Sequence, residues 1–155
     1  MKLKSMIIVS CTLLLLAGCR KGNDPESPFG SQSVPVWEAS ADVDITKSMT
    51  AVVRVDLSLS YTDEQLSAAA YVPSEDDMLA AFSGTVCLSL GEWNKETDAW
   101  WLYIAAPEDD GDVTFRYYSA SLQKIFVSVA SVPFHNDTRL GSVSTPYTPQ
   151  WTILP

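Results

Sequence analysis

The chain has 155 residues, with 10 Lys and Arg against 19 Asp and Glu and a formal net charge of −9. That length suits one hydrophobic core. The acidic balance excludes nucleic acid as a partner, because phosphate recognition needs clustered Lys or Arg.

Residues 1–18 begin with Lys2 and Lys4 and continue as a largely apolar run from Met6 to Leu16, with Ser10 and Thr12 inside it and no charge. A membrane helix needs roughly 20 apolar residues. A short apolar run with a basic start and small residues at its end reads instead as a signal peptide. Leu16-Ala17-Gly18-Cys19 resembles the bacterial lipobox at all four positions. The resemblance implies cleavage before Cys19, a lipid on its sulfur and acylation of its new amino group, so the protein is expected to be anchored in the outer membrane. In lipoproteins of Bacteroidetes an acidic run after that cysteine accompanies export to the outer face. Here Arg20 and Lys21 stand in those places, and either face is left open. With Cys11 lost in the signal and Cys19 lipidated, Cys87 is the remaining thiol and has no intrachain partner. In the apolar stretch TVCLSL it reads as a small core hydrophobe.

Residues 19–33 are poor in large apolar side chains and rich in Pro, Gly and Ser, the composition of a flexible tether. One domain is expected over residues 34–155. Residues 50–60 alternate, with Val53, Val55, Leu57 and Leu59 on one face and Arg54, Asp56 and Ser58 on the other, which predicts a strand. Residues 61–71 either form a short helix, with Thr62 as cap and Gln65 three positions on, or cross the sandwich as an irregular link. A strand over residues 78–82, a break at Ser83-Gly84 and a strand over residues 85–90 follow, and GEWNKETD then turns the chain.

Residues 100–104, 113–118 and 124–130 read as three consecutive antiparallel strands. Pairing Trp100 with Tyr117, Leu102 with Phe115 and Ile104 with Val113 puts three large apolar pairs on one side, joined there by Ile125, Val127 and Val129. The opposite face then carries Trp101, Tyr103, Arg116, Tyr118 and Phe126, with Trp101, Arg116 and Phe126 side by side. An outward face so aromatic is a candidate ligand-binding platform. Beyond Ala130 the prolines predict mostly loop, with one edge strand at most. Six or seven short strands with at most one short helix predict an all-β fold, an antiparallel β-sandwich immunoglobulin-like in general architecture.

Asp77 with Ala80-Ala81-Phe82, Gly84 and Cys87, VTFRYY from Val113 to Tyr118, and Gly141-Ser142 followed by Pro146 resemble a small β-domain found in Bacteroidetes lipoproteins and larger secreted surface proteins. The likeness covers residues 50–149 and implies an envelope setting, without a biochemical activity. It departs after Cys87, where the family pattern has Arg and a Gly-Val pair and this chain has Leu88, Ser89 and Leu90. Any binding role of that Arg is absent here.

Catalytic residues are not expected. His135, the one histidine, lies beside Asn136 and Asp137 in a proline-rich stretch with no nucleophile elbow. No cofactor is implied, and zinc lacks ligands. Asp110 and Asp112 around Gly111 are weak calcium candidates, without the twelfth-position Glu of an EF-hand; solvated turn acids are the simpler reading, as for Glu75, Asp76 and Asp77. The expected function is a non-catalytic envelope binding or adhesion module for a glycan or a surface protein. The alternative is a structural accessory subunit of an outer-membrane assembly. In either case the aromatic row has a plainer explanation, burial of Trp101 and Phe126 beneath the C-terminal segment.

Overall fold

A computed structural model describes residues 29–106 and 111–155. Among these residues ten strands form two sheets: β1 (Asp44–Val53), β2 (Met78–Ser83), β3 (Val86–Leu90), β4 (Glu92–Asn94), β5 (Ala99–Ala106), β6 (Asp112–Ser119), β7 (Lys124–Ser128), β8 (Val132–Pro133), β9 (Arg139–Leu140) and β10 (Trp151–Ile153). One sheet has the order β4-β5-β1-β9 and the other β10-β7-β6-β2-β3, with β8 paired to the start of β6. Every pair of named strands is antiparallel except β1 with β9. The two sheets enclose one main core, so the architecture is the expected all-β sandwich.

Alternation decides which side chains enter that core. Trp100, Leu102 and Ile104 of β5 point inward and are buried, as are Val113, Phe115 and Tyr117 of β6. The inward faces are as expected, but the partnership is not. β5 pairs with β1, Val53 opposite Trp100 and Met49 opposite Ile104, and its other edge takes β4. Both edges of β5 are therefore filled. β6 belongs to the second sheet, between β2 and β7, and Leu102 and Phe115 share a core rather than a ladder.

The expected faces of β7 are reversed. Ser119 pairs with Lys124 and Tyr117 with Phe126, so Phe126 turns inward and is fully buried, while Val129 is exposed. Ala120 to Gln123 connect the two strands, with Gln123 at a φ of 49°. This turn sets a register one residue away from the expected one, and a slip of one exchanges the two faces. Phe126 meets Phe29, Tyr61 and Tyr117 at centroid distances of 6.1, 5.7 and 6.2 Å, aromatic contacts that Ile125 or Val127 would not supply.

β1 starts earlier and ends earlier than the alternation suggests. After Val53 the Arg54 amide donates to the Tyr147 carbonyl, and Leu57–Leu59 form a 3₁₀ turn begun by Asp56, whose carboxylate accepts from the Ser58 amide. Leu57 still reaches the core, whereas Leu59 is exposed. The helix is present as α1 (Asp63–Ala68): Thr62 accepts from the Gln65 amide, and the Gln65 side chain accepts from the Thr62 amide at 2.9 Å, a complete capping box. GEWNKETD holds a short strand, β4, as well as a turn. The C-terminal stretch has three short strands, β8 to β10, rather than one.

Asp77 anchors the loop between α1 and β2. It is buried, and its carboxylate accepts from the Tyr117 hydroxyl at 2.6 Å, the Ala120 amide at 2.8 Å, and the Ser74 amide and hydroxyl. This is a structural carboxylate, not a solvated turn acid.

The fold also reaches back into the stretch read as tether. Phe29 is buried edge-on against Tyr61 at 5.3 Å. Gln32 accepts from the Ile125 amide through its side chain, and its own amide donates to the Gln123 carbonyl. Further on, Trp37 packs edge-on against Phe82 on the outer side of the second sheet, over a small cluster of Ala80, Phe82 and Cys87.

Candidate functional site

The outward face of the β4-β5-β1-β9 sheet carries the clearest candidate. Alternation along β5 turns Trp101 and Tyr103 away from the core, and they are 43% and 60% exposed. Two rows cross the strands here. Glu92, Trp101 and Val52 occupy one, and Tyr103, Thr50 and Arg139 the next. Successive outward residues on a strand lie about 7 Å apart, and three strand spacings put the backbones of β4 and β9 about 14 Å apart. Glu92 and Arg139 thus place opposite charges at the two flanks of an aromatic floor.

A groove of about 380 Å³ follows this face, completed by Ser89 and Leu90 of β3 and by Ser142 and Val143 after β9. Gly141 makes that last turn possible. It has a φ of +73°, and a Cβ there would lie 2.5 Å from the Tyr147 nitrogen and 2.6 Å from the Val52 carbonyl oxygen. The close approach lets the Tyr147 amide donate to Val52 and fastens the groove wall to β1. The side chains offer flat apolar rings, hydroxyls and one charge of each sign, a set suited to holding a ligand rather than to transforming it.

The other three platform residues are elsewhere. Phe126 is in the core. Tyr118 is buried on the second sheet. Arg116 also belongs to that sheet, where its guanidinium lies 4.0 Å from the Phe82 ring centroid and donates to the Gly84 carbonyl at 2.9 Å. The row of Trp101, Arg116 and Phe126 is therefore not assembled. It depended on β5 and β6 being neighbours, and they lie in different sheets. Phe82, not Trp101, is the ring on which Arg116 stacks. Glu92 and Arg139 were not foreseen: β4 and β9 span three and two residues, too short for a period to show. Thr50 lies on the long β1, and only the pairing of β1 with β5 brings it beside Tyr103.

The remaining candidates divide by position. Cys19 and Asp110 lie outside the described residues. Asp112 accepts from the Ser131 hydroxyl at 2.8 Å, and among the described residues no group of three or more His, Cys, Asp or Glu is placed to hold a metal. His135 is exposed, and its carbonyl accepts from the Thr138 hydroxyl. Cys87 is buried as a core residue; burial pushes its thiol up, against the smaller opposing effects of a hydrogen bond to the Ser89 carbonyl and of Arg116. Among the described residues no helix is long and apolar enough to cross a membrane. Comparison with protein-family models, curated proteins and solved structures finds no match to this chain.

Proposed function

We propose that this chain is a lipid-anchored protein of the outer membrane that acts as a non-catalytic binding or adhesion module, holding a glycan or a surface protein in the groove around Trp101 and Tyr103. The observation that carries the reading is the exposure of these two rings on a sheet whose opposite face, along β5 and β1, is buried in the core. A rigid floor of this kind stacks on sugar rings or on a partner's side chains with little entropic cost, and Glu92 and Arg139 at its flanks give direction to the contact. The envelope setting rests on the apolar leader, the lipobox at Leu16 to Cys19 and the resemblance to the β-domain of Bacteroidetes lipoproteins.

Leu90 and Val143, exposed at the groove margin, also suit the second reading, in which this face is permanently covered as part of a larger envelope assembly. A glycan array and a pull-down from envelope extract, run with the wild-type chain and with Trp101→Ala, test both. Retention on a glycan or a dissociable protein that Trp101→Ala abolishes supports the binding module. Co-purification in a fixed complex through detergent and salt supports the accessory subunit. Retention unchanged in both Trp101→Ala and Tyr103→Ala removes this face as the site. Anchoring is tested separately: Cys19→Ala should leave the membrane fraction, and its continued detergent-dependent association would overturn the lipoprotein reading.

A further inference from the structure

A second cavity, also of about 380 Å³, opens at one end of the sandwich, where the loop between α1 and β2 meets the turn between β4 and β5. It is separate from the groove on the outward face and shares no lining residue with it. Tyr71, Trp93, Trp100 and Tyr117 supply its walls. Trp93 and Trp100 are paired across β4 and β5, with ring centroids 5.4 Å apart and planes inclined by 52°, so the two indoles form an angled wall rather than a flat stack.

The charges around this cavity are unequal. Glu75, Asp77 and Asp98 line it, against one lysine, Lys95. Lys95 reaches Glu75 at 4.0 Å with both side chains more than four-fifths exposed, a contact that solvent screens heavily. Asp98 has Arg54 at 3.8 Å, outside the lining. Asp77, buried at the floor, is held by hydroxyls and amides alone, and among the described residues it makes no ion pair. Aromatic faces attract cations through their quadrupole, and an aromatic-walled cavity with an excess of carboxylates attracts them further.

We infer that this cavity binds a small organic cation, an ammonium-bearing molecule whose charged head sits against Trp93 and Trp100. The volume lies within the range of small-molecule sites. An anion would meet the three carboxylates without a buried cation to receive it. Lys95, on its long exposed stem, is the internal competitor for the same negative potential.

Calorimetric titration of the full-length chain in a non-ionic detergent tests this, with choline chloride as probe and detergent alone as blank. Its neutral isostere, 3,3-dimethyl-1-butanol, and sodium chloride at equal ionic strength serve as controls. Choline should bind saturably in the millimolar range, roughly tenfold more tightly than the neutral isostere. Trp93→Ala should weaken it roughly tenfold. Lys95→Ala, which removes an exposed side chain and leaves the walls intact, should tighten it about two- to threefold. No saturable heat with choline, equal binding of the neutral isostere, or weaker binding in Lys95→Ala would each overturn the inference. Trp101→Ala should leave choline binding unchanged, so the outcome stands apart from that of the outward groove, and a loss in that variant would equally overturn the assignment to this cavity.

Discussion

Tyr117 places a phenol at the bottom of the core, donating to the buried carboxylate of Asp77 at 2.6 Å and lying 3.4 Å from the Tyr71 hydroxyl. Burial, and the neighbouring Tyr71 and Asp77, push its ionisation far above the ordinary value of 10.0; burial raises Tyr71 as well. In the unfolded chain these phenols release their protons near pH 10, while in the fold they keep them. Above pH 10 the unfolded state therefore binds fewer protons, and stability is lost as pH rises, by about 1.4 kcal/mol per pH unit for Tyr117, with Tyr71 acting in the same direction. Urea melts between pH 8 and 11 should show a first, smaller loss of stability near pH 9, where the buried Cys87 thiol ionises in the unfolded chain alone, and a steeper fall above pH 10. Tyr117→Phe should make the fall shallower while lowering stability at neutral pH by about 1 to 3 kcal/mol, because Asp77 loses a donor. An unchanged alkaline slope in that variant would mean that Tyr117 is not the titrating group. The same strand, β6, supplies a contrast of faces. Phe115 is fully buried and Thr114 half-buried on the opposite side, so Phe115→Ala should cost about 3 to 5 kcal/mol and Thr114→Ala much less. Equal losses in chemical denaturation would contradict the orientation of β6.

At the scale of elements, legibility followed the length of the pattern. Trp100 to Ile104 and Val113 to Tyr118 each alternate long enough to reveal their buried faces, but two strands with the same alternation do not reveal whether they share a sheet or face each other across the core. The strand Lys124–Ser128 holds Ile125, Phe126 and Val127, three apolar residues in a row, so its face depended on the turn before it and not on any period. Asp56 is a cap, and the apparent alternation through it ran two kinds of structure together. The helix could be read because Thr62 and Gln65 act through near neighbours. Thr62→Ala should cost about 1 kcal/mol in a thermal or chemical melt. The candidate groove was legible in Trp101 and Tyr103, on a long strand, and illegible in Glu92 and Arg139, which come from short strands placed by the rest of the fold. Gly141 is the element-scale test of that placement. An alanine there meets the backbone of both Tyr147 and Val52 and must also hold a positive φ, which alone costs roughly 1 to 2 kcal/mol. Gly141→Ala should therefore lower the melting temperature and weaken any ligand held in the groove, whereas Gly84→Ala, with open space around its Cβ, should carry the backbone cost alone.

For the whole molecule, the stretch from Phe29 to Ser40 touches the sandwich at well-separated places. Phe29 enters the main core beside Tyr61 and Phe126, Gln32 bonds to the backbone of Gln123, Ile125 and Leu154, Trp37 covers Phe82, and the Ser40 amide donates to the Cys87 carbonyl. A segment with no strand or helix of its own is thus pinned by two aromatic side chains, one on each side of the six-stranded sheet. Ten residue steps separate Cys19 from Phe29. Under the lipoprotein reading, the contour length alone holds the start of the fold within about 35 Å of the lipid, closer than a tether running to Val34 would. The same contacts make the domain boundary measurable. A chain truncated to begin at Val34 keeps every strand and loses Phe29, and with it an aromatic side chain from the core, a change of the large-to-small kind that costs about 3 to 5 kcal/mol. For a domain of this size that loss should lower the melting temperature by on the order of 10 °C or more. Phe29→Ala in the longer chain should reproduce most of the drop, since it removes the same ring and leaves the Gln32 hydrogen bonds in place. If the truncated chain melts at the same temperature as one beginning before Phe29, the segment is a tether after all and the fold starts at Val34.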